Sequence, residues 1–270
     1  MGTYAVGDIH GCFDEWMKLK DFIEGTDRNA RFILTGDIVD RGPKVVEMLR
    51  WAVENIKPGG KYQMVLGNHE YEKMKWWNSY KSYEKRMVEG CEDLSTAELL
   101  ASFAADRYDY KSKLCSAGVS AKEIQRFHEF MEKLPLQIET TVKRKGVDVR
   151  YVVTHAAYMP EELLQPSKTM KAEHINICKE GLLYERHYGG YHSNLGVIVV
   201  HGHTPTIFYS QLGWQIEEPG RIAYSLNDIN VDCGATYNKR SSRLAAVRLE
   251  DHKEVYLKDG RIEVRYGKAI

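Results

Sequence analysis

Net charge is what this sequence has least of: 38 Lys and Arg stand against 38 Asp and Glu in 270 residues. With a formal charge of zero, no whole-molecule field draws the chain to nucleic acid or to an anionic membrane. The one local basic run, Lys239-Arg240-Ser241-Ser242-Arg243, reads as a solvated loop before a strand. Cysteine is sparse too. Cys12, Cys91, Cys115, Cys178 and Cys233 are odd in number, scattered and without a CxxC pair. That pattern excludes a disulfide framework and a thiolate zinc site, and it points to a reducing compartment. No apolar run approaches the ~20 residues of a membrane span, and the start shows no charged-then-apolar leader. A cytoplasmic protein is expected. Repeats and low-complexity tracts are also lacking.

What the sequence does have is a recurring junction. Five times a short apolar run ends in Gly or Thr, or leads directly into His, and delivers metal-type side chains. Tyr4-Ala5-Val6 leads to Gly7-Asp8-Ile9-His10-Gly11, and Phe32-Ile33-Leu34-Thr35 leads to Gly36-Asp37-Ile38-Val39-Asp40-Arg41-Gly42. Met64-Val65-Leu66 leads to Gly67-Asn68-His69-Glu70, Val152-Val153-Thr154 to His155, and Val197 to Val200 to His201-Gly202-His203-Thr204. Runs of this kind read as buried strands. Ligands in α/β sheets bind beyond the carboxyl ends of strands, so five such ends describe one site.

The opening half alternates strand and helix. Helical spacing follows the first strand over Cys12 to Ile23 and the second over Val45 to Ile56, and the third strand spans Tyr62 to Leu66. This βαβαβ order implies parallel strands with right-handed crossovers. Residues 71–134 change character and read as a helical insertion of two to four helices, for example Ala97 to Ala105 and Ala121 to Leu134, stopped by Pro135. Beyond it, Ile138 to Lys143 pairs with Val147 to Thr154 across a Lys145-Gly146 turn. A second irregular or helical stretch covers roughly 160 to 190. Short tail strands near Arg221 to Ala223, Asn230 to Asp232, Leu244 to Leu249, Val255 to Leu257 and Ile262 to Val264 are expected to form a largely antiparallel second sheet. One domain over residues 1–270, carrying the 71–134 insertion, is the expected organisation.

Chemistry follows from the residue types. Asp8 and His10 lie one residue apart past a strand, where alternate side chains share a face. Asp37 has two oxygens and can bridge two ions. Asn68 offers an amide oxygen, and His155 and His203 offer imidazoles. A mixed Asp/His/Asn set suits Mn²⁺, with Fe or Zn²⁺ as alternatives, better than Ca²⁺ or Mg²⁺. His201 reads as a packed, hydrogen-bonded histidine rather than a ligand. Tyr71, Trp76, Trp77, Tyr80 and Tyr83 read as helix-face packing, with a substrate groove as the other possibility.

Together GDIHG at 7–11, GDIVDRG at 36–42, GNHE at 67–70, His155 and the second His of HGHT resemble the phosphoprotein-phosphatase (PPP) family of metallophosphoesterases, in its bacterial and phage serine/threonine style. Val231-Asp232-Cys233-Gly234-Ala235 is similar to a terminal segment of those proteins. The resemblance implies a calcineurin-like α/β sandwich of two mixed β-sheets flanked by helices, and hydrolysis of phosphoesters at two divalent ions. It implies Asp8, His10 and Asp37 on the first ion, and Asp37, Asn68, His155 and His203 on the second. Arg41 would lie over the phosphate, and His69 would protonate the leaving oxygen with Asp40 orienting it. Arg186 resembles a second phosphate clamp.

The pattern departs from that family at Leu66, where its protein phosphatases carry arginine before the GNHE glycine. The Val-Leu-Gly-Asn-His run instead resembles the symmetrical diadenosine tetraphosphate hydrolases, which tend to lack an Asp like Asp40 and to end the motif in Asp where Glu70 stands. A phosphorylated protein or peptide is the first expected substrate, a dinucleoside polyphosphate the second.

Overall fold

A computed structural model describes residues 2–88, 110–159, 179–186, 196–237 and 240–267. Two mixed sheets face each other. The six-stranded sheet runs β11-β10-β9-β1-β2-β3, and the five-stranded sheet runs β4-β5-β6-β8-β7. In the first, β1 (Thr3–Val6), β2 (Arg31–Leu34) and β3 (Tyr62–Met64) are parallel, joined by α1 (Phe13–Thr26) and α2 (Val45–Asn55). The βαβαβ expectation is met. In the second, β4 (Gln137–Arg144) and β5 (Val147–Thr154) form the expected hairpin, and β6 (Ile198–His201) lies parallel to β5.

Alternation of side chains builds the layers. Ala5, Ile33, Tyr151, Val153, Val200, Ile229 and Val247 fill the space between the sheets. Their neighbours Tyr4, Val6, Phe32 and Leu34 point the other way, onto Trp16, Leu19 and Leu49 of α1 and α2. Strand β1 is therefore buried on both faces, which explains its unbroken apolar character.

Region 71–134 does not start a new element. Helix α3 (Asn68–Val88) begins at the third ligand cluster and continues into it. Helices α4 (Tyr110–Ser116) and α5 (Ala121–Met131) return, and Trp76, Trp77, Tyr110, Leu114, Phe127 and Met131 join the same core as α1 and α2. Ser120 caps α5, its hydroxyl accepting from the Glu123 amide at 3.2 Å. Packing, the favoured reading for the aromatics, holds for Trp76 and Trp77, which are buried. The helix expected over Ala97 to Ala105 lies outside the described residues, as does most of the 160–190 stretch, of which 179–184 is helical.

The tail corrects the expectation of a separate sheet. Strands β7 (Ala223–Ser225) and β8 (Asp228–Asn230) extend the five-stranded sheet beside β6, whereas β9 (Leu244–Arg248), β10 (Lys253–Lys258) and β11 (Arg261–Tyr266) join the first sheet. The reason is the free edge of β1, against which β9 pairs antiparallel with Ala5 opposite Val247. Strand β8 ends earlier than expected because the Asn230 and Asp232 side chains accept from the amides of Asp232 and Gly234, both 2.8–2.9 Å, turning the chain.

Candidate metal centre

All five expected junctions end at one place, on loops whose backbone is forced into shape. Of nine non-glycine residues with positive φ among the described residues, five are His10, Asp37, Asp40, Arg41 and His203. Left-handed backbone at such residues is costly and clusters where geometry serves a site. Two glycines allow the approach. A Cβ on Gly202 would stand 2.1 Å from Asp8 Oδ1, and one on Gly67 would stand 2.3 Å from Asp37 Oδ1.

Asp37 is the hub. Its Oδ1 accepts from the His69 amide at 2.9 Å and lies 3.6 Å from His155 Nε2; its Oδ2 lies 3.6 Å from His10 Nε2. Asp8 is held by the Thr35 hydroxyl at 2.9 Å and the His203 amide at 3.0 Å. Asn68 Oδ1 is 2.8 Å from His155 Nε2 and 3.0 Å from His203 Nδ1. Asp8, Asp37 and His155 form one group with ligand atoms within 4.8 Å of one another, and His10, Asp37 and His69 form another. Asp37 belongs to both, as a bridging carboxylate requires.

Tautomers show what these atoms are for. His155 Nδ1 is 2.7 Å from the Thr35 carbonyl and His10 Nδ1 is 2.8 Å from the Val39 carbonyl. A carbonyl only accepts, so each Nδ1 carries the proton and each Nε2 presents a lone pair. Those lone pairs face oxygens of Asp37, and that of His155 also faces Asn68 Oδ1. Burial lowers the pKa of both imidazoles, that of His10 well below the ordinary histidine value, so a second proton does not relieve the contact. Burial, with Asp232 and Asp37 nearby, raises the Asp8 carboxyl well above its ordinary value. The Asp37 carboxyl is held low despite burial, and with His155 and His10 neutral the contacts that favour its charge are the His69 ring, whose pKa is raised, and the His69 amide. Buried acceptors turned on one another, with imidazole N–H groups anchored to backbone carbonyls, fit divalent cations.

His69 differs. Its Nδ1 lies 2.7 Å from Asp40 Oδ2, and its Nε2 lies 3.2 Å from Arg41 Nη2. Burial works against a proton on His69, but Asp37 and Asp40 outweigh it and raise the pKa. The Arg41 guanidinium sits 5.3 Å from the centroid of the Tyr237 ring. Arg186, expected as a second clamp, comes to the rim, with Nη1 3.4 Å from Thr204 Oγ1 and close enough to His203 to oppose its protonation. His201 is packed as expected, with Nε2 2.8 Å from Asp228 Oδ1.

Some participants were not singled out from sequence. Glu70 is fully buried and accepts from the amides of Asp37, Ile38, Val39 and Gly67 at 2.8–3.2 Å, fixing the Asp37 loop. Lys73 is buried with Nζ 3.0 Å from Asp40 Oδ2. Its place four residues after His69 on one helix was the available signal. Asp232, quoted only within its terminal segment, comes close enough to Asp8 to help raise that carboxyl, and burial pushes its own up to about 6.

Comparison with known proteins bears on the fold that carries these residues. The profile of the family described as calcineurin-like phosphoesterase matches residues 1–233. A protein of Psychromonas ingrahamii named symmetrical bis(5'-nucleosyl)-tetraphosphatase is 28% identical over 66% of this chain and 52% of its own length. One of the same name from Cronobacter sakazakii is 46% identical over 26% of this chain and 24% of its own. The matches thus span about half or less of those relatives. A serine/threonine phosphatase structure from Saccharomyces cerevisiae is 12% identical with TM-score 0.52, over 100% of this chain and 80% of that one, which shows the shared fold.

Proposed function

This chain belongs to the calcineurin-like phosphoesterase family, and on that premise we propose that it is a hydrolase of phosphoric esters or anhydrides working with two divalent metal ions. The observation that carries this is the pair of neutral imidazole lone pairs, of His10 and His155, turned on Asp37, with the Asn68 amide oxygen turned on the second of them. Asp8, His10 and Asp37 would hold one ion, and Asp37, Asn68, His155 and His203 the other. Mn²⁺ suits this mixed oxygen and nitrogen set, with Fe or Zn²⁺ as alternatives. Such a pair, when bound, polarises phosphoryl oxygens and acidifies a water.

The chain's own residues do the rest. Arg41 offers a planar, permanently charged donor to the phosphoryl oxygens, and Arg186, at the rim beside Thr204, offers a second. His69 gives a proton to the leaving oxygen, and Asp40 fixes its tautomer. Glu70 keeps the backbone around Asp37 from relaxing.

For the substrate, a dinucleoside polyphosphate is the leading reading, since the relatives of similar sequence carry the tetraphosphatase name. Leu66 supports it. Its side chain is buried and its amide is given to the Pro135 carbonyl at 2.7 Å, so no guanidinium stands over the phosphate from this position. This reverses the order expected from the sequence, in which phosphoserine or phosphothreonine came first. The phosphomonoester remains the second reading, favoured by the Asp40–His69 pair, because an alkoxide needs a proton more than a nucleotide phosphate does. The cytoplasm is the proposed compartment. Cys12, Cys115 and Cys233 are free, and among the described residues no helix is long and apolar enough to cross a membrane.

With Mn²⁺ restored, kcat/KM on diadenosine tetraphosphate should exceed that on a phosphoserine peptide by about tenfold or more. The opposite ranking transfers the assignment to phosphopeptides. Absence of metal-dependent turnover on both overturns it.

A further inference from the structure

We propose that Lys73 is a positioning residue for proton transfer, its buried ammonium clamping Asp40 so that Asp40 holds the His69 ring in one orientation. The proposal rests on His69 being the proton donor. His69 and Lys73 lie four residues apart on α3 and so share a helix face. Both reach the same atom: His69 Nδ1 is 2.7 Å and Lys73 Nζ 3.0 Å from Asp40 Oδ2. The Lys73 and Asp40 side chains are each only 1% exposed. Burying an ammonium is unfavourable, and an apolar side chain would fill this position with less penalty. A lysine here is accounted for by its carboxylate partner, with the Tyr110 ring 5.3 Å from the ammonium as added support.

The loop it grips needs an anchor. Asp40 and Arg41 are consecutive left-handed residues, with φ of 67° and 57°. Lys113, on α4, ties down the next stretch, its Nζ 3.5 Å from the Arg41 carbonyl and 3.3 Å from that of Gly42. Two lysines from the helical region thus hold the loop that supplies Asp40 and Arg41. Slack in Asp40 would pass directly to His69, since the Nδ1 contact to Asp40 is what directs Nε2 toward the leaving oxygen. Proton donation would suffer, while the ligands around Asp37 would keep their places.

The test compares Lys73→Met with wild type on two aryl phosphates, with metal content measured alongside. Phenolate, the more basic leaving group, needs the proton; p-nitrophenolate needs it far less. Lys73→Met should keep its metal and lose about tenfold or more in kcat on phenyl phosphate, with a several-fold smaller loss on p-nitrophenyl phosphate. The double variant Asp40→Asn/Lys73→Met should be no slower than Asp40→Asn alone. Equal losses on both esters, or additive losses in the double variant, overturn the proposal. Should Lys73→Met fail to fold, Lys73→Gln, which keeps a donor without the charge, is read by the same ratio and the same criterion. A wild-type protein inactive on both esters, the dinucleotide and the phosphopeptide overturns the reading of the site itself, and this assignment with it.

Discussion

Asp37 and Asp40 stand three residues apart on one loop, both buried, both with a positive φ, and their surroundings are opposite. Asp37 faces lone pairs: His10 and His155 have given their N–H groups to backbone carbonyls and turn bare nitrogens toward it. Asp40 faces donors, the His69 Nδ1 and the Lys73 ammonium. One residue type in one loop is thereby fitted to a cation in the first case and to a proton in the second. What decides between them is whether each partner's hydrogens have already been spent on the backbone.

The largest expected effect comes from breaking the Asp37 side. Asp37→Asn removes the carboxylate common to both ligand groups. Metal content by elemental analysis should fall, and turnover should drop on the order of 10³-fold or more, the kinetic equivalent of several kcal/mol of lost charge stabilisation. Full metal occupancy with near-normal turnover would contradict the bridging role. Chelation should act in the same sense, lowering both activity and thermal stability, with Mn²⁺ restoring both. A melting temperature indifferent to chelator would count against bound ions.

Breaking the Asp40 side should leave the metal in place. His69→Asn is expected to retain both ions while slowing turnover about 10²–10⁴-fold, the usual contribution of a general acid. Loss of metal in this variant would move His69 to the ligand set, a placement that its proximity to His10 and Asp37 makes worth checking. Glu70→Gln sets an amide against backbone donors and should cost about 1–3 kcal/mol of stability, read by thermal or denaturant unfolding. An unchanged midpoint would mean that the four amide contacts contribute nothing.

The smallest effect sharpens the comparison through a carboxylate–imidazole contact outside the expected ligand set, Asp228 with His201. Burial works against the His201 proton, but Asp228 outweighs it and raises the pKa. A raised histidine pKa stabilises the fold below the unfolded value near 6.5, and that contribution is lost as pH rises through the folded value. Melting temperature should fall as pH rises above about 6.5, and Asp228→Asn should reduce that dependence without changing metal content. A pH dependence as steep as wild type would remove the pair from the account.

Much of the centre was legible because its ligand types are chemically conspicuous at the ends of apolar runs. Asp8, Asp37, Asn68, His155 and His203 converge as their spacing suggests. The partition of the tail was not legible. Strand β9 is buried through Leu244–Val247 whichever sheet it joins, and only the open edge of β1 decides. Lys73 was hidden for a different reason. In a helix rich in Lys and Glu a lysine reads as solvated, and its burial exists only once Tyr110 and the Asp40 loop close over it. Glu70 was quoted within its motif, yet its four amide partners come from two separate loops that meet only in the folded chain.

The placement of β1 between β2 and β9 has a bearing on biosynthesis. Residue 5 waits for residue 247, so the strand leading to Asp8 and His10 acquires its second flank only after β9 has been synthesised. Pairing across such a separation is slow compared with local folding. The loop carrying Asp8 and His10 accordingly gains its full support only once β9 is in place, so a chain cut short before residue 244 would present that loop on an unfinished sheet edge.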